Sequence, residues 1–183
     1  MAKIMKGLAA AALVAAVTFI LLYRAGLDVL PLAVTFGTVA YHLWIRLIVG
    51  AVFQAVMGNR ADYTRRWYQP RPWEAKLYHA LRVQRWKSKM PTYAPESFDP
   101  ARHTWDEIAQ AMCQSELVHE TDMLLSFAPL LFSLWFGELA VFIVTSVLAA
   151  ALDLVFVIMQ RYNRPTVIRI ARWAAKRQNI KTA

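Results

Sequence analysis

Cysteine is almost missing from this sequence. The single thiol, Cys113, excludes an internal disulfide, and nothing points to an oxidising compartment. It falls beside the polar face of its helical stretch and reads as a small filler residue rather than a nucleophile. Glycine-rich phosphate loops, paired-cysteine zinc motifs and nucleophile elbows are all absent. So are internal repeats, low-complexity tracts, heptad runs and the period-two alternation of strands. Acidic residues are scarce, 12 against 21 lysines and arginines, which leaves a formal charge of +9. These absences exclude a disulfide scaffold, a P-loop enzyme and a β-protein.

Apolar residues fill the space. They make up 58% of the 183 residues, and mean hydropathy is +0.33, too high for an ordinary soluble domain. Charge is segregated. Residues 60–89 hold nine basic and two acidic side chains, residues 96–122 hold one and seven, and residues 161–181 hold seven and none. The basic blocks abut hydrophobic runs, so anionic lipid head groups, not nucleic acid, are the expected partner.

The hydropathy pattern predicts an all-α polytopic membrane protein forming one membrane domain over 1–183. Four transmembrane helices are expected at about 7–23, 29–57, 123–137 and 139–160. Lys3 and Lys6 precede the first run. It lacks a small-residue cleavage site followed by polar sequence, so it reads as a retained helix rather than a signal peptide. The second run would be roughly 43 Å long against a bilayer core of about 30 Å, so tilting, kinking near Pro31 or projection from the membrane is expected.

Residues 58–122 are expected to be interfacial and cytoplasmic. Trp67, Trp73, Tyr78 and Trp86 sit among arginines and lysines, as suits a head-group layer. Helical periodicity over 72–89 predicts an amphipathic helix. Three prolines over 91–100 predict a loop, and Thr104-Trp105-Asp106-Glu107 matches a capping box. Gly137-Glu138 is the expected break between the last two spans, and Pro129 is a candidate kink in the first of them. The tail, 161–183, is basic and amphipathic. By the positive-inside rule both termini and the central segment face the cytoplasm of a bacterial inner membrane.

Trp105, Ile108, Ala109 and Met112 form an apolar stripe that Glu116 and His119 continue. Spacing of i and i+3 puts these two ionisable groups on one helix face. An imidazole there could take a proton from a hydroxyl or amine, with the carboxylate orienting it. The alternative is a structural ion pair of Glu116 with an arginine and an interfacial His119. Glu-x-x-His also supplies ligands in di-metal bundles, but no second such motif occurs, so no metal is expected.

His42 and Arg46 are a second intramembrane pair, one turn apart, suited to hold an anionic group or to meet Glu116, Glu138 or Asp153. A third group comprises Trp86, Lys87 and Lys89 with Arg161, Tyr162, Asn163 and Arg164. It could form an anion-binding shelf or simply anchor the chain.

Arg85-Trp86-Lys87-Ser88-Lys89, then Ser115-Glu116-Leu117-Val118-His119, then Gln160-Arg161-Tyr162-Asn163-Arg164-Pro165 occur in that order. Together they resemble the glycosyl-4,4'-diaponeurosporenoate acyltransferase family of small bacterial membrane proteins. The resemblance covers roughly residues 82–172. It implies transfer of a fatty acyl chain to a hydroxyl or amine of a membrane amphiphile, such as a glycosylated carotenoid, a glycolipid or a lipoprotein amino terminus. His119 would be the general base and Glu116 its orienting partner. Arg161, Arg164, Lys87 and Lys89 would hold a phosphate, and Tyr162 and Asn163 would donate to the oxyanion. The partners implied are an acyl donor (acyl-CoA, acyl carrier protein or phospholipid) and a lipid-like acceptor, with no cofactor. The alternative class is a non-enzymatic lipid-binding or assembly subunit.

Overall fold

The computed structural model describes residues 2–182, with side chains from Ala2 to Arg177. Of the basic tail expected over 161–183, Ala183 and the side chains of 178–182, including Lys181, lie outside the described residues. Helix accounts for 80% of the structure, with no strand among the described residues. The helices are α1 (Ala2–Arg24), α2 (Leu30–Met57), α3 (Glu74–Ala80), α4 (Val83–Trp86), α5 (Trp105–Leu125), α6 (Ser133–Phe136) and α7 (Leu139–Thr182). Among the described residues four stretches are long and apolar enough to cross a membrane: Ala2–Arg24, Leu30–Met57, Trp105–Phe136 and Leu139–Arg177. Large apolar side chains point outward along them, among them Leu124, Leu134, Val144 and Leu148. Such faces suit lipid, where the helix satisfies its own backbone. The protein is a multi-pass membrane protein.

Two compact units divide the chain, residues 1–52 with 120–154, and residues 53–119 with 155–183. In the first unit α1 and α2 pack antiparallel. Ala12 and Ala16 meet Ala40, Phe19 stacks on Phe36 at 5.2 Å, and Trp44 donates to the Ala9 carbonyl. Alanines let two helix backbones approach closely where lipid provides no hydrophobic drive. Pro31 lies in the first turn of α2, where its missing N–H is harmless, so it introduces no kink.

The third span is more broken than its hydropathy predicts. α5 ends at Leu125, just inside the apolar run expected over 123–137, and a 3-10 turn over Ala128–Phe132 leads to α6. Pro129 is the cause. It has no N–H to give the Leu125 carbonyl, and the Tyr41 hydroxyl donates to that carbonyl instead, at 2.9 Å. The next break falls where expected. Gly137 (φ 70°) and Glu138 (φ 40°) take left-handed conformations, and α7 starts at Leu139.

Arg46 finds its carboxylate in this unit. Its guanidinium pairs with Asp153 and also donates to the carbonyls of His42 and Ala149. Asp153 is 1% exposed. A buried pair of this kind is held by hydrogen bonds as much as by charge, and removing one partner strands the other. His42 lies beside it, buried, with its ring edge-on to Tyr41, and both ring nitrogens lack a hydrogen-bond partner among the described residues.

Arg46→Ala should destabilise the protein by about 3–5 kcal/mol. Combining it with Asp153→Ala should cost clearly less than the two single losses added. Denaturant unfolding in detergent micelles checks both outcomes.

Candidate functional site

The second unit contains Glu116, His119, Lys87, Lys89, Arg161 and Arg164. α5 is capped as the Thr104–Glu107 pattern predicts: the Glu107 N–H donates to Thr104 Oγ1, and the Thr104 N–H to Glu107 Oε2 at 2.7 Å. From there the stripe of Ile108, Ala109, Met112 and Glu116 is buried. α2 stops at Gly58 and Asn59, both left-handed, and the Asn59 N–H is taken by the Gln114 side chain at 2.7 Å.

α5 packs on α7 in antiparallel register. Glu116 meets Arg161 and Arg164, and His119, three residues on, meets Phe156, so partners on α7 recede as α5 advances; Gln160 also donates to Ser115. Glu116 is 0% exposed and uses both oxygens: Arg161 Nη1 donates to Oε1 at 2.5 Å, and Arg164 Nη1 donates to Oε2. A second carboxylate, Glu74 of α3, accepts from Arg161 Nη2 at 2.6 Å and from Nε at 3.1 Å. Two guanidiniums thus face two carboxylates, and the buried charges balance.

Spare N–H groups go to irregular backbone. Arg161 donates to the carbonyls of Trp67 and Gln69, and Arg164 to that of Tyr68 at 2.6 Å. The 3-10 turn Arg66–Tyr68 is thereby fixed to α7, with the Tyr68 ring 5.2 Å from the Arg164 guanidinium carbon. Pro165, next in sequence, has no N–H for the Arg161 carbonyl, yet α7 continues through it. Burial pushes the Tyr68 phenol up to about 12. Burial, then the hydrogen bond to Glu74, raises the Tyr78 phenol as well. Both therefore remain protonated, and the Tyr78 hydroxyl donates to Glu74.

His119 lies one turn beyond Glu116 with its ring stacked on Phe156, centroids 4.7 Å apart and planes 11° from parallel. It is half-buried. Tyr162 packs edge-on against Tyr78 at 5.4 Å and carries the Lys87 ammonium 4.7 Å from its ring centre. Lys87 also donates to Asn163 Oδ1 at 2.7 Å. The Trp86 indole donates to the Leu81 carbonyl at 3.0 Å, and Lys89 is exposed. The structure thus gathers Glu116, Arg161 and Arg164 into one buried knot, with His119 on one side along α7 and Tyr162, Asn163 and Lys87 on the other. His42 and Arg46 belong to the first unit.

The helix expected over 72–89 is in fact two short helices and a 3-10 turn, broken at Arg82 in a left-handed conformation (φ 50°). At the start of the first of these helices Glu74 is buried against Arg161. Sequence reasoning passed over Glu74, although a signal was there: it is one of only two acids among the nine bases of residues 60–89. An acid so outnumbered is a natural counter-ion for an arginine.

Glu116→Ala would strand Arg164 and leave Arg161 with Glu74 alone, and should destabilise by about 3–5 kcal/mol, whereas Glu116→Gln, which keeps one acceptor oxygen for the guanidiniums, should lose less. Thermal unfolding of the two variants in detergent gives the comparison.

Among family models, the one for CrtO, glycosyl-4,4'-diaponeurosporenoate acyltransferase, matches residues 64–173. The match spans more than half the chain and contains Glu74, Glu116, His119, Arg161 and Arg164. No curated protein and no solved structure matches.

Proposed function

The chain belongs to the glycosyl-4,4'-diaponeurosporenoate acyltransferase family and is an acyltransferase; from that premise we propose that it moves a fatty acyl chain onto a hydroxyl or amine of a membrane-embedded amphiphile. The observation that carries the proposal is the coincidence of the matched segment with the α5–α7 knot and the histidine beside it.

His119 is the general base in this reading. Its imidazole takes the proton as the acceptor oxygen or nitrogen attacks the acyl carbonyl carbon. The bond from that carbon to the donor's leaving atom then breaks, and the proton passes to that atom. Stacking on Phe156 restricts the ring to one plane, which favours a fixed direction of proton transfer. Glu116 acts as a positioning residue: both its oxygens are committed to arginines, and it sets the register of α5 on α7 one turn before His119.

Tyr162 and Asn163 suit the head-group end of the substrate better than the oxyanion. Six residues of helix, about 9 Å, separate Tyr162 from Phe156, whereas an oxyanion donor must come within about 3 Å of the reacting oxygen. Lys87 and Lys89 add positive charge at that same end. The acceptor is a glycosylated carotenoid, a glycolipid or a lipoprotein amino terminus. The membrane is the bacterial cytoplasmic membrane, with the basic segments 60–89 and 161–181 on its inner side.

His119→Gln retains hydrogen bonding but does not carry the proton, and turnover should fall by about 10²–10⁴-fold. Acyl transfer by folded protein in lipid nanodiscs is the assay, and near wild-type turnover would remove His119 as the base. For orientation, single cysteines at Ser88 and Lys176 in a Cys113→Ser background should react with an impermeant maleimide only from the inner face of oriented vesicles. Labelling from opposite faces would contradict the four-span topology.

A further inference from the structure

A cleft of about 710 Å³ opens in the second unit, where the turn before α3, the α3–α4 corner and α7 come together. Arg71, Arg82, Arg85, Tyr78 and Tyr162 are among the residues lining it. The one carboxylate in its lining, Glu74, is already committed to Arg161 and to the Tyr78 hydroxyl, which donates to it at 2.8 Å. Arg71, Arg82 and Arg85 are exposed, and none has a side-chain ion pair or hydrogen bond among the described residues. Arg46, Arg161 and Arg164, by contrast, are all paired. Three uncompensated guanidiniums on one concave surface repel one another and attract an anion.

The backbone points the same way. Arg82 holds φ 50° and ψ 41°, a conformation that a β-carbon disfavours and that glycine would take without strain. That conformation breaks the expected helix between α3 and α4, and Arg82 and Arg85 both line the cleft. Strain kept at a charged side chain in a cleft is a mark of a functional contact. The volume exceeds what a bare phosphate fills. Tyr78 and Tyr162, packed edge-to-face, supply aromatic surface in the lining for the remainder of a larger ligand.

We propose that this cleft binds the phosphate-ester head of the acyl donor, with Arg71, Arg82 and Arg85 as its phosphate ligands. The inference rests on the acyl-transfer reading above. It moves anion recognition away from Arg161 and Arg164, whose guanidiniums are occupied by carboxylates. Guanidinium forks match phosphate oxygens two at a time. The phosphate ester belongs either to a soluble thioester carrier or to a phospholipid.

Binding measured without turnover tests the proposal. Purified protein in phosphatidylcholine nanodiscs is titrated with coenzyme A by calorimetry. In parallel, native mass spectrometry counts phosphatidylglycerol retained from mixed-lipid nanodiscs. The variants are Arg82→Gly, Arg71→Gln, Arg85→Gln and the triple combination. Arg82→Gly removes the guanidinium and relieves the backbone strain, so its melting temperature should not fall. Each single change should weaken one of the two probes by about tenfold or more. A loss confined to coenzyme A supports the cleft with a soluble donor, and a loss confined to phosphatidylglycerol supports it with a phospholipid donor. If the wild type binds neither, or if the triple variant binds both undiminished, the proposal is overturned. His119→Gln should bind as wild type. Cleft variants that lose binding alongside a fully active His119→Gln would sink the base and leave the cleft. Undiminished cleft binding alongside an inactive His119→Gln would do the reverse.

Discussion

A carboxylate with no exposure to solvent has to be neutralised where it lies, and the second unit is built around that requirement. Glu116 reaches it with one guanidinium on each oxygen. Those two arginines, fixed by the carboxylate, then have N–H groups to place. They place them on Glu74 and on three successive carbonyls of the irregular segment 67–69. Backbone that is neither helix nor strand is tolerable near lipid only when its polar groups are met by protein. One buried charge thus determines helix register, holds the 3-10 turn and draws α3 onto α7.

The same constraint organises the proposed chemistry. A side chain committed to two ion pairs is a poor proton carrier but a rigid anchor, and His119 lies one helical turn from that anchor. Residues toward the basic end of α7 have the opposite character: Tyr162 lines an open cleft, and Lys87 sits against its ring. In the proposed chemistry, proton handling therefore falls to His119 of α5 against Phe156, and head-group recognition to the stretch of α7 around Tyr162, with the Glu116 knot between them. In the first unit Arg46 pairs with Asp153 in a similar way, and the His42 ring nitrogens beside them have no hydrogen-bond partner among the described residues.

Much of this was legible in the residues. Long apolar runs report helices in lipid directly, because few other structures satisfy the backbone there. The Gly137-Glu138 break and the Thr104–Glu107 cap were readable from local chemistry alone. The apolar stripe gave the inward direction of Glu116, and the alternative of an ion pair with an arginine is what its carboxylate shows. Less legible was everything that depends on two distant segments meeting. Periodicity over 72–89 predicts one helix because it registers spacing and not the left-handed turn at Arg82. A kink at Pro129 is readable from its missing N–H, but the Tyr41 hydroxyl that makes the ending of α5 tolerable comes from 84 residues away. Glu74 becomes intelligible only when Arg161 is seen beside it.

The most direct measurement of the central claim, that this chain acylates a membrane amphiphile, is an intact-mass survey of membrane lipids and lipoproteins. Cells carrying the chain are compared with cells lacking it, and with cells carrying folded His119→Gln. The account predicts one class of amphiphile heavier by a fatty acyl residue on a hydroxyl or amine, present only with the wild-type chain. Identical amphiphile masses in all three, with the protein folded and inserted, would contradict acyl transfer and favour a non-enzymatic lipid-binding subunit.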